Sequence, residues 1–326
     1  MIVKSSFNPP FWARNRHVQT IWPRFFVRKP KPVLSWEKFD TPDGDFVELA
    51  WSKNEPSQNG LVVIFHGLEG SAESHYAAHL MAMLESMGWR YVLVHFRGCG
   101  PSQNQTARSY HSGETDDNRL VLEALKQRHP GIPLIAIGYS LGGNMLLKLL
   151  GEADNNALLQ QAVVVSPPFD LARCSASIAL GFSRIYQKHL LNSMRRKFRQ
   201  KYVRYDYAKL LGLPLDELQG LRSFYEFDDR ITGPLHGFSD AQDYYTRCSA
   251  NRYMHNIRVP TLVLHAKDDP FMSPDIVPTA EQISPAVTIE LSEKGGHVGF
   301  LHGPVWRPRF WVNERIAVLL SSLSKG

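Results

Sequence analysis

The 326-residue chain contains no apolar run near the ~18 residues that a membrane-spanning helix needs, so no such span is expected. Its first ten residues, Met1 to Pro10, lack the apolar centre of a secretory leader, and a cytoplasmic protein is the expectation. Cysteine is scarce. Cys99, Cys174 and Cys248 are odd in number and widely spaced, which argues against both a disulfide frame and a zinc site. No metal-ligand spacing and no glycine fingerprint for a dinucleotide occurs, so neither a metal nor a cofactor is expected. Internal repeats and low-complexity tracts are missing too. An aromatic content of 11% and a net charge of only +6 exclude a disordered chain. That charge is uneven. Arg184–Lys209 carries nine Lys/Arg against one acid (Asp206), and elsewhere the two signs nearly balance. The basic pI is therefore one segment's doing and gives no reason to expect nucleic-acid binding.

What is present is a rhythm of short apolar runs and helical patterns. Leu61–Phe65, Tyr91–Val94, Leu134–Ile137, Ala162–Val165 and Leu262–Leu264 are continuous rather than alternating. That is the pattern of parallel strands covered on both faces. Val33–Phe39 and Phe46–Trp51 alternate around Pro42-Asp43-Gly44 and predict an antiparallel hairpin. Val287–Leu291 completes the strand set. Helices are expected over Asp117–Arg128, Leu141–Leu150 and Pro304–Leu323. The rhythm breaks between Phe169 and Asn251, some eighty residues rich in aromatic and basic side chains. We read 1–326 as a single α/β domain with a mainly parallel sheet, and 169–251 as a helical cap inserted into it.

Gly138-Tyr139-Ser140-Leu141-Gly142 carries the chemistry. A G-x-S-x-G pentapeptide alone is moderately specific. Here it joins a buried strand to a helix, the context in which a tight elbow exposes a nucleophilic serine. The competing reading, a helix-capping serine in a glycine turn, does not account for that context. A serine hydroxyl needs a base. Among thirteen histidines, His297 in Gly295-Gly296-His297 follows the last strand, where the order Ser, acid, His places it; His302, five residues on, is its nearest rival. The acid should follow the preceding strand, where Asp268 and Asp269 are adjacent. Counting from Ala266 favours Asp269, and one residue of slip at the strand end would select Asp268. The partner not used should cap the following turn. Two backbone N–H groups should face the developing oxyanion: Leu141, after the nucleophile, and Leu68, in His66-Gly67-Leu68.

Together, His66-Gly67, Arg97-Gly98, Gly138–Gly142, Asp268-Asp269-Pro270 and Gly296-His297 resemble the α/β-hydrolase fold. Arg16-His17-Val18-Gln19-Thr20-Ile21, His66–Ser71, Phe96-Arg97-Gly98-Cys99 and Gly295–Phe300 further resemble AB hydrolase superfamily family 4, the YheT-type esterases. The resemblance runs from Phe7 to the final helix and is weakest in the insertion. It implies a serine esterase acting on acyl substrates, lipid esters among them, through Ser140, Asp268 or Asp269, and His297. Thioesterase, amidase or acyltransferase chemistry would use the same residues, and a non-catalytic binding protein is the reading from another class. An ester-bearing small molecule is the expected partner, and the oligomeric state is open. Arg195–Arg204 should face outward, because burying so many unpaired charges is costly. Such tracts are more often solvated helix faces, and weak contact with an anionic membrane surface is the alternative.

Overall fold

The computed structural model describes residues 1–53, 59–152 and 158–323; the last three residues of the expected 1–326 domain lie outside these. Nine strands form one sheet: β1 (Ile2–Lys4), β2 (Leu34–Asp40), β3 (Phe46–Ser52), β4 (Leu61–Phe65), β5 (Arg90–Val94), β6 (Leu134–Tyr139), β7 (Gln161–Val165), β8 (Thr261–Ala266) and β9 (Val287–Ser292). Their order is β1-β9-β8-β7-β6-β4-β5-β3-β2. Every pair from β1 to β5 along that order is parallel, and β3 and β2 add an antiparallel edge. The hairpin register, Asp40 opposite Phe46 and Leu34 opposite Ser52, agrees with the alternating pattern of its sequence.

Period-two alternation divides the sheet's side chains between two cores. Leu61, Val63 and Phe65 of β4 point to one face, where α3 (Asp116–Arg128) and α4 (Leu141–Gly151) cover them with Val121, Leu125, Met145 and Leu149. Val62 and Ile64 point to the other, under α2 (His75–Ser86) and α11 (Trp311–Leu323). All five β4 residues are buried, which explains the lack of polar alternation in the run. Because β4 is flanked by β5 on one side and β6 on the other, the chain reverses its direction of travel across the sheet here. The loops after β4 and β6 consequently diverge at the carboxyl edge and leave a crevice between them.

Between β7 and β8 the described chain is helical: α5 (Leu171–Ile178), α6 (Arg184–Tyr202), α7 (Tyr207–Leu211), α8 (Phe224–Phe227), α9 (Gly233–Leu235) and α10 (Ala241–Cys248). Leu191, Phe198, Tyr207, Leu213, Phe227 and Ile231 form a core of this segment's own.

Three expectations need correction. The final helix begins at Trp311, not Pro304. Pro304 and Pro308 lack an N–H, and a proline disfavours helical backbone in the residue before it. Leu301–His302 instead pairs antiparallel with Arg309–Phe310. Three elements, β1, α1 (Arg16–Phe26) and α2, were not anticipated. Asn15 caps α1, its side chain accepting from the N–H of His17 at 2.8 Å. Finally, the basic tract does not lie wholly outward. Arg196, Arg199 and Arg204 are exposed, but Arg195 and Lys201 are buried. Arg195 donates to the Leu221 carbonyl, and Lys201 donates to the carbonyls of Arg108 and, at 3.1 Å, Thr106. Backbone acceptors offset the cost of burial that motivated the expectation.

Candidate active site

Strand β6 delivers Ser140 through a turn that few residues tolerate. Ser140 sits at φ 50°, ψ −117°, in the left-handed half of backbone space that side chains disfavour. Its N–H donates to the Val165 carbonyl of β7 at 2.8 Å, tying the strained residue to the sheet. The flanking glycines are steric necessities. A Cβ on Gly138 would lie 2.7 Å from the Gly142 carbonyl oxygen, and one on Gly142 would lie 2.5 Å from that of His66.

His297 lies in the loop after β9. Its Nε2 is 2.9 Å from Ser140 Oγ, and its Nδ1 is 2.7 Å from Asp269 Oδ2. A carboxylate only accepts, so Nδ1 carries the proton and Nε2 is left to accept from the serine hydroxyl. Asp269 is buried, and its other oxygen accepts the Phe271 N–H at 2.8 Å. The Phe271 ring stacks on the imidazole, with centroids 4.0 Å apart and planes at 15°. Asp268 turns the other way. Its Oδ1 accepts the Gly296 N–H at 2.9 Å, and burial raises its pKa from the ordinary aspartate value. His302 is away from this group, its Nε2 3.0 Å from Glu314 of α11.

Several residues beneath the site escaped sequence reasoning. Thr20 of α1 accepts the His297 N–H on Oγ1 at 2.9 Å and donates to the Arg16 carbonyl at 2.8 Å. Gln19, fully buried, donates to the carbonyls of Ala13 and Leu301 and accepts the Leu301 N–H at 2.6 Å. Ser166 accepts the Val298 N–H. The histidine loop therefore rests on the chain's N-terminal helix. The stretch Arg16–Ile21 was legible as a family motif, but no role for Gln19 or Thr20 followed from it.

The loop after β4 presents Leu68. Its neighbours' N–H groups are engaged: Gly67 with the Tyr76 hydroxyl at 2.7 Å, Glu69 with the Tyr110 hydroxyl at 2.9 Å and Gly70 with the Gly67 carbonyl. The Leu68 N–H has no acceptor among the described residues. Leu141, as the first residue of α4, has an N–H without an acceptor inside the helix. His66 holds the loop from below, Nδ1 donating to the Gly67 carbonyl at 2.7 Å, and burial keeps the ring neutral, its pKa well below the usual histidine range. Glu69, at φ 55°, connects this loop to α6. Its carboxylate accepts from the Tyr110 hydroxyl at 2.8 Å, the Ser193 hydroxyl at 2.6 Å and Lys197 Nζ at 3.2 Å. Burial works against the Lys197 ammonium, yet Cys99 and Glu69 beside it raise its pKa overall. Cys99 itself is buried, which pushes its thiol up to about 11 and leaves it a poor nucleophile.

Ser140, Leu68 and Leu141 open into a cavity of about 350 Å³ between the sheet edge and the segment from α5 to α10. Leu171, Ile178, Leu190, Met194 and Met272 give it an apolar wall. Of the segment's aromatics, Phe198, Phe224, Phe227, Tyr244 and Tyr245 line it. Phe182 and Tyr186 pack around His17, and Phe238 packs against Tyr244. Among the described residues there is no group of three His, Cys, Asp or Glu arranged to hold a metal ion, and no helix is long and apolar enough to cross a membrane.

Residues 60–304 match the family model described as alpha/beta hydrolase fold. The chain is 44% identical to YheT of Escherichia coli (strain K12), an esterase by name, over 96% of this chain and 92% of that protein. It is 30% identical to the phospholipase ABHD3 of Bos taurus, over 97% of this chain and 78% of the relative. Among solved structures, the Pyrococcus furiosus esterase Pf2001 superposes with a TM-score of 0.58 at 18% identity, covering 92% of this chain and 98% of that one. That likeness concerns the fold alone.

Proposed function

The chain belongs to the α/β-hydrolase fold family, and from that premise we propose that it is a serine hydrolase cleaving carboxylic esters through an acyl-enzyme. The observation that carries the proposal is the unbroken line from Asp269 through His297 to Ser140, with contacts of 2.7 and 2.9 Å, ending at a strained elbow that opens into an apolar cavity. In this reading His297 Nε2 takes the Ser140 proton as Oγ attacks the ester carbonyl. The N–H groups of Leu68 and Leu141 hold the oxyanion, and His297 returns the proton to the departing alcohol. Water, deprotonated by the same nitrogen, then releases the acid. Asp269 keeps the proton on Nδ1 and stabilises the imidazolium. Asp268 braces the histidine loop through Gly296. The segment 169–251 acts as a cap, with Phe224 and Phe227 against the acyl chain of a short, medium or lipid-like ester. The esterase and phospholipase names of the relatives support that substrate class.

Hydrolysis of aryl esters of graded acyl length tests this. Wild type should turn over short or medium chains and be labelled by a serine-directed phosphonate. Ser140→Ala should fold normally, resist labelling and lose roughly 10³-fold or more in kcat. A variant that keeps near wild-type turnover would overturn the nucleophile. Turnover confined to thioesters or amides would move the bond cleaved and leave the residues in place.

A further inference from the structure

Two stretches of this chain carry no acidic residue. Residues 1–35 contain seven Lys/Arg and no Asp or Glu, and residues 171–205 contain nine and none. They lie far apart in sequence, yet the fold brings them side by side. His17 of α1 meets Phe182 with ring centroids 4.4 Å apart, and its Nδ1 is 2.9 Å from the Tyr186 hydroxyl of α6. Burial lowers the pKa of His189 on α6, and the charges of Arg24 on α1 and Arg196 on α6 lower it further. Both stretches expose large apolar side chains. Phe25 (68% exposed), Phe26 (66%), Leu180 (69%), Phe182 (50%) and Ile185 (57%) project into solvent. Arg24, Arg28, Lys29, Arg184, Lys188 and Arg196 of the same two stretches are exposed as well.

We propose that this face, made by α1 and the residues just after it together with Leu180 to Arg196, docks the protein on an anionic lipid bilayer. Large aliphatic and aromatic side chains surrounded by cations are what the interface of a charged membrane accommodates: the rings enter the acyl boundary while Arg and Lys stay at the headgroups. A nucleic acid would satisfy the cations but give no apolar medium for Leu180 and Ile185, and so the lipid surface is the better fit. This surface shares only Arg196 with the 195–204 tract, whose Arg195, Lys197 and Lys201 are turned inward. The face also lies close to the candidate site. Phe182 touches His17, His17 bonds Tyr186, Tyr186 packs on Phe271 with centroids 5.1 Å apart, and Phe271 stacks on His297. A bilayer held here would lie one short chain of ring contacts from His297, near where an ester of a membrane lipid would react.

Sedimentation with vesicles tests docking without any turnover, so it is independent of the esterase reading. Wild-type protein should bind vesicles of phosphatidylglycerol and phosphatidylcholine at low salt. Binding should be at least about tenfold weaker to phosphatidylcholine alone, and should fall as salt screens the charges. Phe25→Ser/Leu180→Ser/Ile185→Ser and, separately, Arg28→Glu/Lys188→Glu should each lose about tenfold or more on the anionic vesicles, while leaving hydrolysis of a water-soluble short ester within about twofold of wild type. Retained vesicle binding by the Ser variant would reduce the surface to non-specific charge and overturn the proposal. So would absence of wild-type binding, or tighter binding to a 20-base-pair DNA duplex than to the vesicles.

Discussion

Replacing Asp269 by Asn separates the two adjacent acids, and the structure states what the amide would do. Asp269 Oδ1 accepts the Phe271 N–H at 2.8 Å, and its Oδ2 faces His297 Nδ1 at 2.7 Å. A backbone donor demands an oxygen, so the Asn side chain settles with its carbonyl toward Phe271 and its NH₂ toward His297. That NH₂ can only donate. Nδ1 must then become the acceptor, the proton moves to Nε2, and the nitrogen facing Ser140 can no longer take a proton. Loss of a charge-assisted hydrogen bond alone is worth about 1.5–3 kcal/mol, or roughly 10- to 100-fold in rate. Inverting the tautomer brings the total to about 10⁴-fold in the same constellation elsewhere, roughly 5.5 kcal/mol. Asp268→Asn behaves differently. Its Oδ1 only accepts the Gly296 N–H at 2.9 Å, and an amide oxygen accepts as well, so kcat should fall less than about tenfold. The assay is kcat on a p-nitrophenyl ester, with circular dichroism confirming that both variants fold. Equal losses, or an Asp269→Asn enzyme within tenfold of wild type, would refute the reasoning about both acids.

Three further outcomes are expected. Thr20→Val removes the acceptor of the His297 N–H and should lower kcat about tenfold at unchanged KM, while Thr20→Ser should restore it; steady-state kinetics on both variants decides. Glu69→Gln loosens the link between α6 and the Leu68 loop. It should lower kcat more than it raises KM, and weaken inhibition by a boronic acid that mimics the tetrahedral state; a pure KM effect would refute an oxyanion-loop role. Asp228 lines the cavity, and burial pushes its pKa up to about 6 although Thr232 and Tyr245 donate to it. Its folded pKa exceeds the unfolded one, so the native state holds the proton more tightly. Stability should therefore decline as pH rises from about 4 to 6. Asp228→Asn should flatten that decline in thermal melts across pH 4–8, by less than the roughly 3 kcal/mol a rise of that size carries, because the cavity leaves it part-solvated.

Apolar patterning specified the covered strands of the sheet, though not its edge strand β1. The runs from Leu61–Phe65 to Leu262–Leu264 have no polar face to present to water, so they had to be covered on both sides. Gly138 and Gly142 were equally legible, because the elbow's close backbone contacts leave no room for a Cβ. Ester chemistry was readable in the family's motifs. Sequence favoured Asp269 over Asp268 only by counting, since neighbouring residues at a strand end point opposite ways and only the arrival of the loop after β9 decides which carboxylate meets an imidazole. Nor could it assign work to Thr20, whose hydroxyl meets the His297 N–H across 277 positions of chain. The inward turn of Lys197 and Lys201 depended on Glu69, Thr106 and Arg108 being brought beneath α6. The shared basic and apolar face likewise exists only because α1 and α6 pack together. Patterning acts along the chain through the cost of exposing apolar surface, whereas pairing depends on atoms a few ångströms apart, and only the folded chain brings them there.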